Sequence, residues 1–183
     1  QCFDYNGYGL PAAHLDVEGD LFGLIIIGNT ALCKAGGETL QVFSLADPLN
    51  PAPGPQLELP SLVISNFVSL EPFVFVSLYD STLAVIDCSV PMTPVLVTTY
   101  ELPQRMYGLA REDERLYLSG EMFLMALDIL NPTSPVVLGQ YHGMTQGTSM
   151  AVQDGFVYML SYIGFTPGLS VVDFRDPSVP EEI

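Results

Sequence analysis

The side chains able to do chemistry are few and scattered. The chain has two histidines, three cysteines and 21 acidic residues, against five basic ones: Lys34, Arg105, Arg111, Arg115 and Arg175. Nucleophilic hydrolysis needs a serine or cysteine beside a histidine that a third group orients, and no Gly-x-Ser-x-Gly turn accompanies His14 or His142. His142 follows the apolar stretch ending at Tyr141 and reads as a solvated loop histidine; His14 precedes an acidic segment. Glycoside cleavage needs two carboxylates across a cleft, and so many acids make a pair of that kind uninformative. No Ser-x-Asp-x-Gly box of sialidase type appears, and tryptophan, the usual sugar-stacking residue, is absent. No catalytic residue is therefore assigned.

Metal chemistry has two local candidates, the alternating Asp16, Glu18 and Asp20 and the cluster Glu112, Asp113 and Glu114. Calcium takes six to eight oxygens in a compact loop, and neither cluster has such spacing. Cys2, Cys33 and Cys88 lack any CxxC or Cys/His pattern for zinc. They read as buried reduced thiols, with one disulfide plus a free thiol as the alternative. No cofactor is expected; an ion of the calcium kind is the only one the acids suggest.

With 183 residues and a formal charge of −16, the chain suits one domain or a piece of one. The 49% apolar content supports a core and argues against disorder. Scattered basic residues exclude a phosphate-binding surface, and the acidity opposes attraction to anionic membranes. The chain opens Gln1-Cys2-Phe3 without a basic-then-apolar leader, as expected of a processed product or a piece of a longer chain. Its longest apolar run, Leu21 to Ile27, is far short of a membrane span.

What must position any site is a repeat. Four segments share one frame: a polar residue, three residues, Pro, two residues, Pro. They begin at Ser44, Asp87, Asp128 and Asp173, with prolines at 48 and 51, Pro91 and Pro94, Pro132 and Pro135, and Pro177 and Pro180. Successive copies stand 43, 41 and 45 residues apart, so eight of the 15 prolines are in phase. A period of this length marks a repeat architecture. The acid is expected to accept backbone N–H bonds from the turn that follows, and the proline fixes φ and removes a donor. Asp87, Asp128 and Asp173 are thus structural turn residues rather than ion ligands.

Around each frame lie short apolar runs of strand type, such as Leu83-Ala-Val-Ile before it and Val95 to Tyr100 after it. Upstream come Phe73 to Val76, Leu116 to Leu118 and Phe156 to Leu160, and before those Leu62 to Ile64, Tyr107 to Ala110 and Ser149 to Val152. Tight connections are expected at Glu18-Gly19-Asp20, Glu71-Pro72, Asp113-Glu114 and Asp154-Gly155, the last a strong hairpin pair. Gln104 to Asn131 is the best helical rival, but its register with the fourth copy makes it strand, turn, strand. The fold expected is all-β, a β-propeller of four-stranded antiparallel blades, about four blades' worth. Blades fall near 12–59, 60–102, 103–143 and 144–183, with 1–11 as a strand of a preceding or closing blade. Two arrangements remain open, a closed four-bladed ring and a piece of a larger one.

The runs Leu83-Ala-Val-Ile-Asp87, Met125-Ala-Leu-Asp128 and Leu169-Ser-Val-Val-Asp173, each continued to its second proline, resemble the LVIVD-repeat family. The resemblance covers nearly the whole chain; the first copy departs from it with Ser44 in the acid's place and an insertion near Ala35-Gly36-Gly37. It implies propeller-forming repeats of bacterial or archaeal surface or exported proteins, and it says little about activity.

A ligand or partner site is expected where loops between strands two and three meet those leading into the next blade. Arg105, Tyr107, His142, Tyr162 and Asp80 lie in such loops and suit contacts with a protein or peptide. The function expected is a non-catalytic, rigid binding scaffold, extracellular, at the cell surface or periplasmic, with no nucleic-acid partner and no membrane insertion. The rival is a calcium-dependent propeller hydrolase of the lactonase or esterase kind, and a third possibility is a spacer within a long surface protein.

Overall fold

The computed structural model describes residue 15 and residues 21–146, 149–163 and 166–183. The segment 1–11, His14, Cys2 and the cluster Asp16, Glu18 and Asp20 lie outside the described residues. The described residues contain no helix and fold into four antiparallel sheets in chain order. The first blade holds β1 (Phe22–Ile27), β2 (Thr30–Lys34), β3 (Thr39–Ser44) and β4 (Ala52–Glu58). The second holds β5 (Val68–Leu70), β6 (Phe73–Ser77), β7 (Thr82–Asp87) and β8 (Val95–Glu101). The third is built from β9 (Met106–Glu112), β10 (Arg115–Asp128) and β11 (Val136–Gln146). The fourth comprises β12 (Ser149–Gln153), β13 (Phe156–Ile163), β14 (Thr166–Asp173) and β15 (Glu181–Glu182).

In the third blade β10 does the work of two strands. Its first half pairs with β9, from Arg115 opposite Glu112, and its second half pairs with β11, from Asp128 opposite Val136. The halves fold back at Glu121-Met122, where Met122 takes φ +53°, and the Ile129 N–H donates to the Glu114 carbonyl at 2.8 Å. That same closing bond joins Phe174 to Gly155 in blade 4 and Cys88 to Pro72 in blade 2. Gln104 to Asn131 is therefore strand and turn throughout, and each blade is four-stranded.

Two strand boundaries go beyond the sequence expectation or differ from it. The hairpin from β1 to β2 turns at Gly28-Asn29, between Ile27 and Thr30, while the connection expected at 18–20 lies outside the described residues. Gly28 there adopts φ +54°, which a Cβ would disfavour. In blade 2 the inner strand is β5, and Leu62 to Ile64 supplies only an isolated bridge from Val63 to Leu78. Between them the Ser65 hydroxyl accepts the Ser77 N–H at 2.8 Å, replacing a ladder bond.

The in-phase frame builds the same corner four times. Asp87, Asp128 and Asp173 accept the N–H groups of Ser89, Leu130 and Arg175 at 2.7, 2.8 and 2.9 Å, and the Ser44 hydroxyl accepts that of Ala46 at 3.3 Å. One step on, a turn closes around each first proline, from Asn50, Thr93, Ser134 and Val179 back to the carbonyls three residues earlier. A charged acceptor on an amide is worth about 1 kcal/mol or somewhat more. Asp128→Ala is expected to lower stability by about 1 kcal/mol, and Ser44→Ala by less, as read from denaturant midpoints.

The corners also join blades. A Cβ on Gly139, in β11, would lie 1.6 Å from the carbonyl oxygen of Pro177, so the fourth turn seats directly on the bare backbone of blade 3. Likewise Met92 of the second turn reaches over Gly54 in β4.

Alternate residues of strands two and three point to opposite neighbours, as a pleated strand requires. Leu32, Leu40 and Val42 of blade 1 meet Val74, Val76 and Ile86 of blade 2. Phe75, Leu83 and Val85 meet Leu116, Leu118 and Met125 of blade 3. Tyr117, Leu124 and Ala126 meet Val157, Met159 and Val172 of blade 4. Three apolar layers thus bind four sheets face to face, and burial between blades supplies the core.

Candidate interaction face

Two open clefts flank blade 3. One, of about 420 Å³, is lined by Glu112, Asp113, Glu114, Arg115 and Asp128 among others. Two of its four acids are already engaged. Glu112 accepts the Asp154 and Gly155 N–H groups at 2.6 and 2.8 Å, capping the hairpin of the next blade, and Asp128 caps its own corner. Among the described residues no group of three or more His, Cys, Asp or Glu side chains is placed to hold a metal ion.

The second cleft, of about 510 Å³, is lined by Pro103, Gln104, Glu121, Met122, Phe123, His142 and Gly143. The β10 fold-back supplies its floor, and the segments entering β9 and closing β11 supply its walls. Gln104 Nε2 donates to the Glu121 carbonyl at 3.1 Å, tying one wall to the floor. The His142 ring packs on Phe123 with centroids 4.9 Å apart and planes tilted by 57°. Phe123 is buried, whereas Met122 is 53% exposed on its left-handed turn. The result is an apolar, polarisable floor with an imidazole, an amide and a carboxylate around it.

Beside this cleft Arg105 is held rather than free. Its Nε donates to the Tyr79 carbonyl at 2.8 Å, and its guanidinium lies 3.5 Å from the centroid of the Tyr79 ring. Such a cation–π contact staples the turn of blade 2 to the entry of blade 3. Asp80, in the same turn, accepts the Thr82 hydroxyl at 2.7 Å. Tyr107 is half-buried on β9, and Tyr162 lies in β13 with its side chain outside the described residues. Of the five residues read from the sequence as loop positions, Tyr107, His142 and Tyr162 lie in strands instead, and only His142, in β11 opposite Phe123, lines this cleft. The sequence reading passed over Met122 and Phe123; the signal for them was a break of only two residues between two apolar runs.

Three further titratable side chains, Cys33, Cys88 and Tyr141, serve the fold. Cys33 and Cys88 are buried free thiols, and burial with the neighbouring Asp87 charge pushes Cys88 up to about 11, so it is a thiol and not a thiolate near neutrality. The Tyr141 hydroxyl donates to Glu182 Oε2 across blades 3 and 4 at 2.7 Å. That bond, with burial and the carboxylate charge, pushes the phenol up to about 12 from its ordinary 10.0. A raised native value means that the contact's stabilisation is complete below about pH 10 and is lost as the pH climbs to about 12. Tyr141→Phe is expected to flatten the fall of melting temperature across that interval, as followed by thermal scans.

Stacked four-stranded antiparallel blades with radially repeated corners define a β-propeller. The LVIVD repeat family model matches residues 68–101 and 119–143, within blades 2 and 3. Among solved structures, the crystal structure of BamB from Moraxella catarrhalis is similar over 92% of this chain, with a TM-score of 0.67 and 18% identity. The match covers 51% of that chain, so this chain spans about half the length of the propeller it resembles. No curated protein matches the sequence.

Proposed function

We propose that this chain is a rigid, non-catalytic propeller module that presents the Met122–Phe123–His142 cleft to a protein or peptide partner, in an exported or cell-surface setting. The observation that carries this reading is the exposed Met122 over a buried aromatic floor, with hydrogen-bonding groups at the margin. Methionine and aromatic surfaces accept varied apolar side chains, and the surrounding amide and carbonyl groups suit an extended backbone. Preorganisation favours the role as well, since two neighbouring segments are tied to the cleft by hydrogen bonds. The acidity suits a soluble protein outside the cell, and the similarity to LVIVD repeats points the same way. No helix among the described residues is long and apolar enough to cross a membrane.

The test is selection of binders from a random peptide library displayed on phage, followed by titration against variants. Met122→Glu is expected to weaken selected peptides by about 30-fold or more, the effect of losing a central anchor. Leu130→Asp, remote from the cleft and 74% exposed, is expected to leave them unchanged. Peptides indifferent to Met122→Glu would remove the reading. Calcium-dependent turnover of simple esters or lactones, with a large drop in melting temperature on adding chelator, would replace it with the hydrolase; no turnover and no shift are expected.

A further inference from the structure

Lys34 is the only lysine in a chain with 21 acidic residues, and among the described residues no carboxylate pairs with it. It ends β2 opposite Leu40; the same register position is Ser77, opposite Leu83, in blade 2 and Ser119 in blade 3, both buried serines. Blade 1 therefore puts a charge where the next two blades put a hydroxyl. A β-bulge makes room for it. The register of β1 shifts between Phe22 and Leu24, and Gly23 between them takes φ +59°. A Cβ on Gly23 would stand 3.4 Å from Lys34 Cε and 3.6 Å from the Phe67 ring, so the lysine stem lies close along bare backbone. Its Nζ donates to the carbonyl of the buried Ser65 at 3.3 Å. An ammonium carries three N–H donors, and this neutral acceptor takes one.

The lysine lines a cleft of about 270 Å³ between blades 1 and 2, with Phe22, Gly36, Gly37 and Leu62 to Ile64 as its other walls. Phe22 and Leu62 are exposed apolar side chains, and no acid is among the lining residues. Gly36 and Gly37 take φ +76° and +57°, and no atom stands within 4 Å of either Cβ position, so that side of the rim is open. A single cation without a matching acid, set among apolar walls, complements one anionic group on an apolar body. A phosphate carries more charge than one lysine offsets, and the field of a chain at −16 opposes it further. The volume falls below that of drug-sized sites, which limits the apolar body to about eight carbons. We infer that this cleft binds a small monocarboxylate with an unbranched apolar tail, its carboxylate on Lys34 Nζ and its tail along Phe22 and Leu62. The Gly36-Gly37 and Glu121-Met122 turns both join strands two and three, so this cleft and the Met122 cleft open on the same face. They share no residue, and neither assignment depends on the other.

Titration of the 183-residue chain with sodium octanoate near neutral pH, below its micelle concentration and followed by amide NMR shifts, tests this. Saturable shifts are expected at Gly36 and Gly37 and not at Met122. Along butanoate, hexanoate and octanoate, each added methylene is expected to tighten binding by about threefold, as burial of that group does. Lys34→Met keeps the apolar stem and removes the charge; it is expected to weaken octanoate by about 10-fold or more and to leave the weaker binding of octanol unchanged. Circular dichroism verifies the fold of that variant. Leu62→Asp, on the exposed wall, is the second variant and is expected to weaken octanoate by a similar factor. Absence of saturable shifts, octanoate binding indifferent to both substitutions, or octanol binding as tightly as octanoate would each overturn the inference. So would saturation by a peptide with a free C-terminal leucine carboxylate and not by octanoate, which would assign the cleft to chain ends instead.

Discussion

Gly139→Val is expected to be the most damaging single substitution in this chain. The first added carbon would stand 1.6 Å from the Pro177 carbonyl oxygen and 2.6 Å from its carbon, and both atoms belong to backbone. Neither partner yields cheaply: Gly139 sits within β11, and Pro177 is fixed by its ring and by the turn from Asp176 to Val179. Relief requires blade 4 to move off blade 3, opening the layer of Tyr117, Leu124, Val157 and Phe174. A loss of about 4 kcal/mol or more is expected, the range reached only by overpacking or broken cores. Gly54→Ala is the informative contrast. Its new carbon would meet the Met92 methyl at 2.1 Å, but that is the free end of a flexible side chain, which can swing aside. Its cost is expected below about 1 kcal/mol. Chemical denaturation of the two variants measures the difference.

Leu83→Ala ranks next. Leu83 is fully buried between blades 2 and 3, against a layer that includes Leu109, Leu116 and Met125. Truncation removes three carbons from a surface packed on both sides by sheets that cannot collapse independently. The expected cost is about 3 kcal/mol, and about 6 to 12 °C in melting temperature for a chain of this size. Leu130→Ala, on an exposed corner, is expected to stay within about 0.5 kcal/mol of the parent. Equal losses for the two variants would mean that the layers between blades are not the core. Differential scanning calorimetry gives both values from one preparation each.

These expectations show which information the sequence carries openly. The corners were legible because their chemistry is local: an acid, a proline at a fixed distance and a second proline encode one turn wherever they occur. The strands beside them were legible from alternating apolar residues and the shared period. The start of blade 1 was harder. Glu18-Gly19-Asp20 has the composition of a turn and lies outside the described residues, and the pair that joins β1 to β2, Gly28-Asn29, follows directly on the apolar run Leu21 to Ile27. Counting back one period from the Glu71-Pro72 connection finds it. In blade 2 the Ser65 hydroxyl stands in for a backbone acceptor, so Leu62 to Ile64 looks like the inner strand although β5 fills that role.

Contacts between blades were the illegible part. Gly139 in the sequence is one strand glycine among several, and nothing near it in the chain announces that Pro177 will rest on it. Glu112 reads as a solvated carboxylate at a hairpin tip, but it caps a turn 42 residues away. Arg105 reads as a free loop cation, but its partner is Tyr79, fixed only when two blades meet. The cleft was half legible: spacing singled out His142 but placed it in a loop, whereas it lies within β11 paired with Phe123, and Met122 and Phe123 disappear into what looks like continuous strand. Long-range seating of one repeat on the next decides these residues, and a single period of sequence does not contain it.

The measurement that bears most directly on the repeat architecture is residue-resolved amide hydrogen exchange by NMR across 106–128 and its counterparts. Expected is strong protection of both inner strands of every blade, including Leu116 to Ser119 and Leu124 to Leu127, broken at Glu121-Met122 and accompanied by extended chemical shifts. Helical shifts through this segment, or protection confined to some blades while others exchange freely, would contradict four equivalent sheets packed in sequence.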